Sequence, residues 1–257
     1  MFSKKKAVIC IYGVIPRSIK YTINSVKKNV INVLQEHFDV SIYVFNMNVE
    51  NNVVDNTILD QNDIKLIPYN FYEEKIQQDF DIELSEKQKQ FNLTFRSDYT
   101  PIITQNALRQ MYSEYRVGQF LQKNNFDFAV AFSSDFYFAN KINIEDCLHS
   151  INNTNMLYGS IINEGQGFSN GFFFGNPKPL SIIMKRFEII ETYLPINADY
   201  ELVLKLCFER NNILRKITNI IVFKIRANKN VFGWPNQNYN NICNIHEINK
   251  IYNNIFL

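Results

Sequence analysis

Glycine and proline are scarce, 8 and 7 among 257 residues, which excludes collagen-like and low-complexity chains. Cysteine is scarcer still. Cys10, Cys147, Cys207 and Cys243 lie far apart with no Cys-x-x-Cys pair, so neither a zinc knuckle nor a disulfide framework is built, and reduced, structural thiols are expected. Long hydrophobic runs are missing. The apolar stretch after Lys4-Lys5-Lys6 covers only residues 7–12, too short for a signal-peptide core or a membrane span, and a cytoplasmic chain without a membrane span is expected. No charge of one sign dominates either: the formal net charge is +2 and the other basic residues are scattered. No face is therefore built to track a phosphate backbone, and nucleic acid is not an expected partner. There is no internal repeat.

What is present is apolar and aromatic: 46% of residues are hydrophobic and 14% aromatic, the composition of a packed globular protein. A chain of this length suits one large α/β domain, 1–257. Heavy use of Asn, Ile, Lys, Phe and Tyr is what an AT-rich coding sequence produces, as in some bacteria and large DNA viruses.

Apolar periodicity alternates between strand and helix. Residues 6–12 form a continuous, β-branched-rich run that predicts a buried parallel strand, turned by Gly13. From Arg17, the apolar residues Ile19, Ile23, Val26, Val30 and Val33 recur at helical spacing. Residues 40–45 predict a second strand and 63–67 a third, before Pro68. The charged stretch 71–92 lacks clear periodicity and reads as a surface excursion. After Pro101, Leu108, Met111, Tyr115 and Leu121 mark a helix leading to the strand 126–132. Further strands are predicted at 157–162, 171–174 and 217–225, and helices over 180–194 and 199–209. Alternating elements imply a mainly parallel central sheet flanked by helices, with a Rossmann-like N-terminal half and a ligand crevice at the carboxyl ends of the strands.

Polar residues just after strands are therefore the first candidates. Asp135 ends the apolar strand 126–132 and its Ser133-Ser134 extension, where a carboxylate meets a divalent cation and substrate phosphates, or caps a turn. The segment Phe126-Asp-Phe-Ala-Val-Ala-Phe-Ser-Ser-Asp135-Phe-Tyr-Phe138 resembles the strand and Asp-x-Asp region of GT-A glycosyltransferases. The helix segment Asn106-Ala-Leu-Arg109-Gln-Met-Tyr-Ser113 and the turn Tyr12-Gly13-Val-Ile-Pro-Arg17 resemble bacterial and large-virus members of that family. The Asp-x-Asp signature is incomplete: Ser133 stands where the first acid would be, and Tyr137 is the wrong residue if Asp135 were the first.

The resemblance implies a single GT-A-like domain, with 1–135 as the nucleotide-binding half and 136–257 as the donor-sugar and acceptor half. It implies transfer of a sugar from a nucleotide-sugar donor to a glycan or other hydroxyl acceptor, with Mn²⁺ or Mg²⁺ held by Asp135 and, late in the chain, His246. Tyr12, Gly13, Arg17, Asn106, Arg109, Ser133, Ser134 and Gly171 are implied at the nucleotide or donor. Gly13 permits close backbone approach, and Arg17 offers a planar charged fork to a diphosphate. Arg109 either meets the donor or pairs with a surface acid. Asn170, Asp199 and Glu201 are the implied catalytic residues. Asn170-Gly171 is also a turn dipeptide, and Asp199 and Glu201 also suit the first turn of a helix. Trp234 and Asn236 are further candidates for stacking on and bonding a sugar.

Two rivals remain. Gly167-Phe-Ser169-Asn-Gly171 fits Gly-x-Ser-x-Gly, with Asp199 and His246 following in order, the pattern of a serine hydrolase. A nucleophile elbow needs a helix after the serine, whereas Phe172-Phe-Phe-Gly-Asn-Pro177 reads as strand and turn. The other rival is a catalytically lapsed nucleotide-sugar-binding protein, which the missing acid keeps open.

Overall fold

β1 (Lys6–Gly13) alternates its side chains between two cores. Ala7, Ile9 and Ile11 enter one, and Val8, Cys10 and Tyr12 the other. A strand buried on both faces reads as an unbroken apolar run even though its side chains alternate. The computed structural model describes residues 4–91, 100–160, 168, 170–192 and 200–232.

After a 3-10 turn at Ile15–Arg17, helix α1 (Ile19–Val26) continues through a π segment, Lys27–Ile31, into α2 (Asn32–His37). β2 (Asp39–Asn48) then pairs in parallel with β1. A small hairpin follows, β3 (Val53–Val54) and β4 (Thr57–Ile58).

The expected third strand at 63–67 is instead a 3-10 segment, Gln61–Leu66, capped by Asp60, whose carboxylate accepts from the Asn62 amide at 2.9 Å. Ile64 and Ile67 are buried one 3-10 turn apart while Lys65 and Leu66 face out, a period of three that suits this helix and not a strand. The third parallel strand is β5 (Phe71–Ile76), within the stretch read as a surface excursion, and it leads into α3 (Gln77–Phe91). β5 is an edge strand with half-exposed side chains, so it needs no apolar run. α3 buries Phe80 and Leu84, four residues apart, beneath a charged surface.

α4 (Pro101–Lys123) starts with Pro101 in its first turn, capped by Thr100, and precedes β6 (Phe128–Ser133) and the short β7 (Phe136–Phe138). Then come α5 (Ile144–Ile151), β8 (Met156–Gly159), β9 (Phe172–Gly175), α6 (Pro177–Met184) and α7 (Tyr200–Arg210). The helix expected over 180–194 ends early: α6 gives way to a 3-10 stretch, Lys185–Thr192. The strand expected over 217–225 is two strands in different sheets, β10 (Leu214–Ile217) and β11 (Val222–Ile225), with β12 (Val231–Phe232) paired to β11. The chain crosses between sheets at 218–221, where Asn140 accepts from the Ile221 amide at 2.7 Å.

The main sheet has the order β10-β8-β9-β6-β1-β2-β5. β9 alone runs against its neighbours, β6 and β8; the other pairs are parallel. One face packs on α4, α6 and α7, the other on α1, α2 and α5. This is a mixed α/β fold with a mainly parallel central sheet flanked by helices. Among the described residues no helix is long and apolar enough to cross a membrane.

A second sheet, β12-β11-β7, stands beside the first. α1 and the π segment carry polar side chains against β7: Ser25 Oγ accepts from the Phe138 amide at 3.1 Å, and Asn29 Nδ2 donates to the Phe138 carbonyl at 2.7 Å. Thr22 Oγ1 donates to the Ser134 carbonyl at 2.9 Å. These bonds occupy backbone groups of β7 that a neighbouring strand would otherwise take, and they hold the 133–138 segment in place.

Candidate active site

The carboxyl ends of β1 and β6 lie side by side, with Tyr12 opposite Ser133. Gly13 ends β1 at φ +108, a conformation that side chains other than hydrogen rarely adopt. Asn46, buried at the end of β2, accepts from the Ile15 amide at 3.1 Å and so holds the turn that carries Arg17.

Above these strand ends opens a cleft of about 550 Å³. β1 and its turn supply Tyr12, Gly13 and Arg17; β6 supplies Ser133 and, just beyond, Asp135; α4 supplies Asn106 and Arg109. Asn170 and Glu201 enter from the other side. Nine sequence candidates, spread over almost two hundred residues, thus share one concavity. Ser134 and Gly171 do not line it. Ser134 is turned inward, donating to the Val14 carbonyl at 3.3 Å. Gly171 lies against Phe136, with φ +90 and its would-be Cβ 2.8 Å from Phe136 Cζ. Asp199, His246, Ser169, Trp234 and Asn236 lie outside the described residues. β9 follows directly after Gly171 as a strand, so the helix of a nucleophile elbow is not there.

Sequence reasoning missed Asp55, Lys224 and Arg226, all of which line the cleft. Lys224 and Arg226 are two apart at the end of β11, so they share a side while Phe223 and Ile225 turn into the core. A lysine inside an otherwise apolar run was the available signal. Four cationic side chains, Arg17, Arg109, Lys224 and Arg226, face three acids, Asp55, Asp135 and Glu201.

Their pairings are specific. Arg17 makes a two-pronged contact with Asp55, both bonds at 2.9 Å. Arg109 is held by Asp81, with Nε at 2.9 Å, and by Asn106 at 2.9 Å, and it also lines the cleft. Arg226 Nη1 donates to Asp135 Oδ2 at 3.1 Å. Lys224 Nζ lies 3.4 Å from Asn170 Oδ1, whose amide nitrogen donates to Glu201 Oε1 at 3.3 Å. Burial lowers the Lys224 pKa, and the nearby Asp135 and Glu201 carboxylates oppose that shift.

Beneath the floor is a buried polar cluster. Glu114 and Arg186 form an ion pair with side chains 2% and 1% exposed. The Tyr200 hydroxyl donates to Glu114 Oε1 at 2.6 Å and accepts from Arg186 at 2.7 Å, and the Tyr12 hydroxyl donates to Glu114 Oε1 at 3.2 Å. Burial, followed by the Glu114 charge, raises the Tyr12 pKa far above the usual phenol value. Both tyrosines line the cleft, so this cluster fixes its floor to β1, α4 and α7.

Of the implied metal ligands only Asp135 lies within the described residues, His246 being outside them, and Asp135 Oδ1 is buried without a hydrogen-bond partner. Hard cations take several oxygen ligands, carboxylates first. Among the described residues no group of three or more His, Cys, Asp or Glu side chains converges. Asp135 brings one carboxylate, 5% exposed, with Oδ2 already bonded to Arg226.

No protein-family model matches the chain, and no curated protein matches it. Among solved structures it is similar to the apo form of the glycosyltransferase GlyE of Streptococcus pneumoniae TIGR4, at 14% identity and a TM-score of 0.42, over 84% of this chain and 45% of that one. The chain thus spans less than half the length of that protein.

Proposed function

We propose that this protein is a glycosyltransferase that moves a sugar from a nucleotide-sugar donor to a glycan or other hydroxyl acceptor. One observation carries the reading: Arg17, Lys224, Arg226 and the acid Glu201 converge in a single cleft at the carboxyl ends of parallel strands, where α/β sheets bind ligands. The cleft's 550 Å³ lies within the roughly 300 to 1,000 Å³ of small-molecule sites. Its cations suit a diphosphate, and the Asn170–Glu201 pair suits a hydroxyl. In this reading 1–135 receives the nucleotide, with Lys224 and Arg226 reaching its phosphates from the second half, and 136–257 receives the donor sugar and the acceptor, in one domain.

The chemistry asked of the residues is limited. The acceptor oxygen bonds the sugar's anomeric carbon as that carbon's bond to the diphosphate oxygen breaks, its electron pair leaving with the phosphate. Glu201 takes the acceptor's proton. Interactions that strengthen as charge builds on the departing phosphate raise turnover.

The test is a panel of UDP-, GDP- and CMP-sugars, read by isothermal titration and by donor hydrolysis. Binding together with hydrolysis supports the reading, and failure of the whole panel to bind folded protein refutes it. Binding without turnover on any acceptor would favour the lapsed, donor-binding alternative.

A further inference from the structure

Asp135 is paired with a cation, Arg226, and Lys224 lies on the same side at the end of the same strand, β11. β11 pairs antiparallel with β7, placing Lys224 opposite Phe136, and the Ile225 amide donates to the Asp135 carbonyl at 2.8 Å. Ser18 Oγ donates to the Ile225 carbonyl. The backbone of 224–226 is thus pinned on both sides beside the end of β6. Arg226 reaches the Asp135 carboxylate, and the Lys224 ammonium rests 5.4 Å from the centroid of the Phe136 ring, facing Asn170.

Among the described residues Asp135 is the one acid that an N–H bond ties to this pair of cations, and two cations held side by side repel a divalent ion and attract a polyanion. We propose that Lys224 and Arg226 form the diphosphate subsite of this cleft and do the charge neutralisation that a bound metal would otherwise do. The proposal rests on the nucleotide-sugar reading and adds the part of the donor that is held, and by what. Asp135 is then a positioning residue, orienting the Arg226 fork. When the bond from sugar to diphosphate breaks, its electron pair adds one negative charge to the phosphate oxygen, and N–H bonds from the ammonium and the guanidinium strengthen toward that oxygen. Neither cation needs to give up a proton.

The experiment titrates UDP, GDP and ADP into the full chain, once in EDTA and once with Mn²⁺. At least one nucleotide is expected to bind in EDTA with a Kd close to that in Mn²⁺. Lys224→Met, which keeps the apolar stem, is expected to weaken that binding by about tenfold or more, with Lys224→Arg restoring most of it. Arg226→Gln gives the same reading should Lys224→Met lose the wild-type circular dichroism. The matching nucleoside without phosphate, if it binds wild type, is expected to bind both variants equally well. Binding lost in EDTA and restored by Mn²⁺ overturns this inference and leaves the nucleotide-sugar reading standing, as does EDTA-resistant binding that neither variant weakens. Failure of all three nucleotides in both buffers overturns this inference, and the nucleotide-sugar reading falls with it only if the panel of UDP-, GDP- and CMP-sugars fails to bind as well.

Discussion

Arg17 and Asp55 face each other through two N–H···O bonds of 2.9 Å, Nε to Oδ2 and Nη2 to Oδ1. Asp55 sits at the tip of the β3–β4 hairpin, where it and Asn56 have φ of 52 and 57, the left-handed pair of a tight two-residue turn. The hairpin thus delivers a carboxylate to one of the cations that line the cleft. A phosphate entering the cleft competes with Asp55 for the same fork. Asp55→Asn is expected to tighten nucleoside diphosphate binding by roughly threefold or more, and Arg17→Ala to weaken it by about tenfold, both by isothermal titration. Unchanged affinity in both variants would make the pair a structural clasp.

Glu201 tests the chemistry apart from binding. Glu201→Gln keeps the size and can still bond Asn170, but loses the base. Sugar transfer is expected to fall by about two orders of magnitude or more, as loss of a general base implies, with diphosphate Kd near wild type. Equal losses in turnover and affinity would reassign Glu201 to donor binding.

The Glu114–Arg186 pair should show its cost when broken. Both side chains are almost fully buried, so removing one charge strands the other. Glu114→Gln is expected to destabilise the fold by about 3 kcal/mol or more, and Tyr200→Phe, which removes one hydroxyl from the cluster, by about 1 kcal/mol. Urea denaturation of the two variants reads the difference. A Glu114→Gln cost no larger than that of Tyr200→Phe would remove the pair's structural role.

Two glycines separate backbone strain from steric conflict. Gly13 has φ +108, and its would-be Cβ has nothing nearer than Ser133 Oγ at 3.6 Å. Gly171 has φ +90 and meets the Phe136 ring at 2.8 Å. Gly13→Ala therefore carries strain alone, about 1 to 2 kcal/mol. Gly171→Ala adds overpacking and is expected to cost about 1 kcal/mol more by the same denaturation. Reversal of that order would show that Phe136 yields freely.

Much of the scaffold was legible. β1, α4 and β6 carry long, consistent apolar patterns, and each formed within a few residues of its expected bounds. β5 and α3 were not legible, because an edge strand and a helix anchored by Phe80 and Leu84 bury too little for periodicity to register. In the cleft, Tyr12, Gly13, Arg17, Ser133 and Asp135 were found because residues following parallel strands face the crevice. Lys224 and Arg226 were not, because β11 read as the tail of one long strand rather than the centre of a second sheet.

By itself the sequence determined the alternation of elements, the double burial of the central strands and the strand ends where polar groups collect. These follow from apolar spacing, which is a local property of the chain. Which charges meet there was decided only by the tertiary structure. Asp135 and Arg226 are 91 residues apart, and nothing in their local sequence pairs them. They meet because α1 and the π segment after it hold β7 through Ser25 and Asn29, leaving the opposite edge of β7 for β11. Antiparallel register against that edge then brings a guanidinium, rather than a second carboxylate, to the acid at the end of β6.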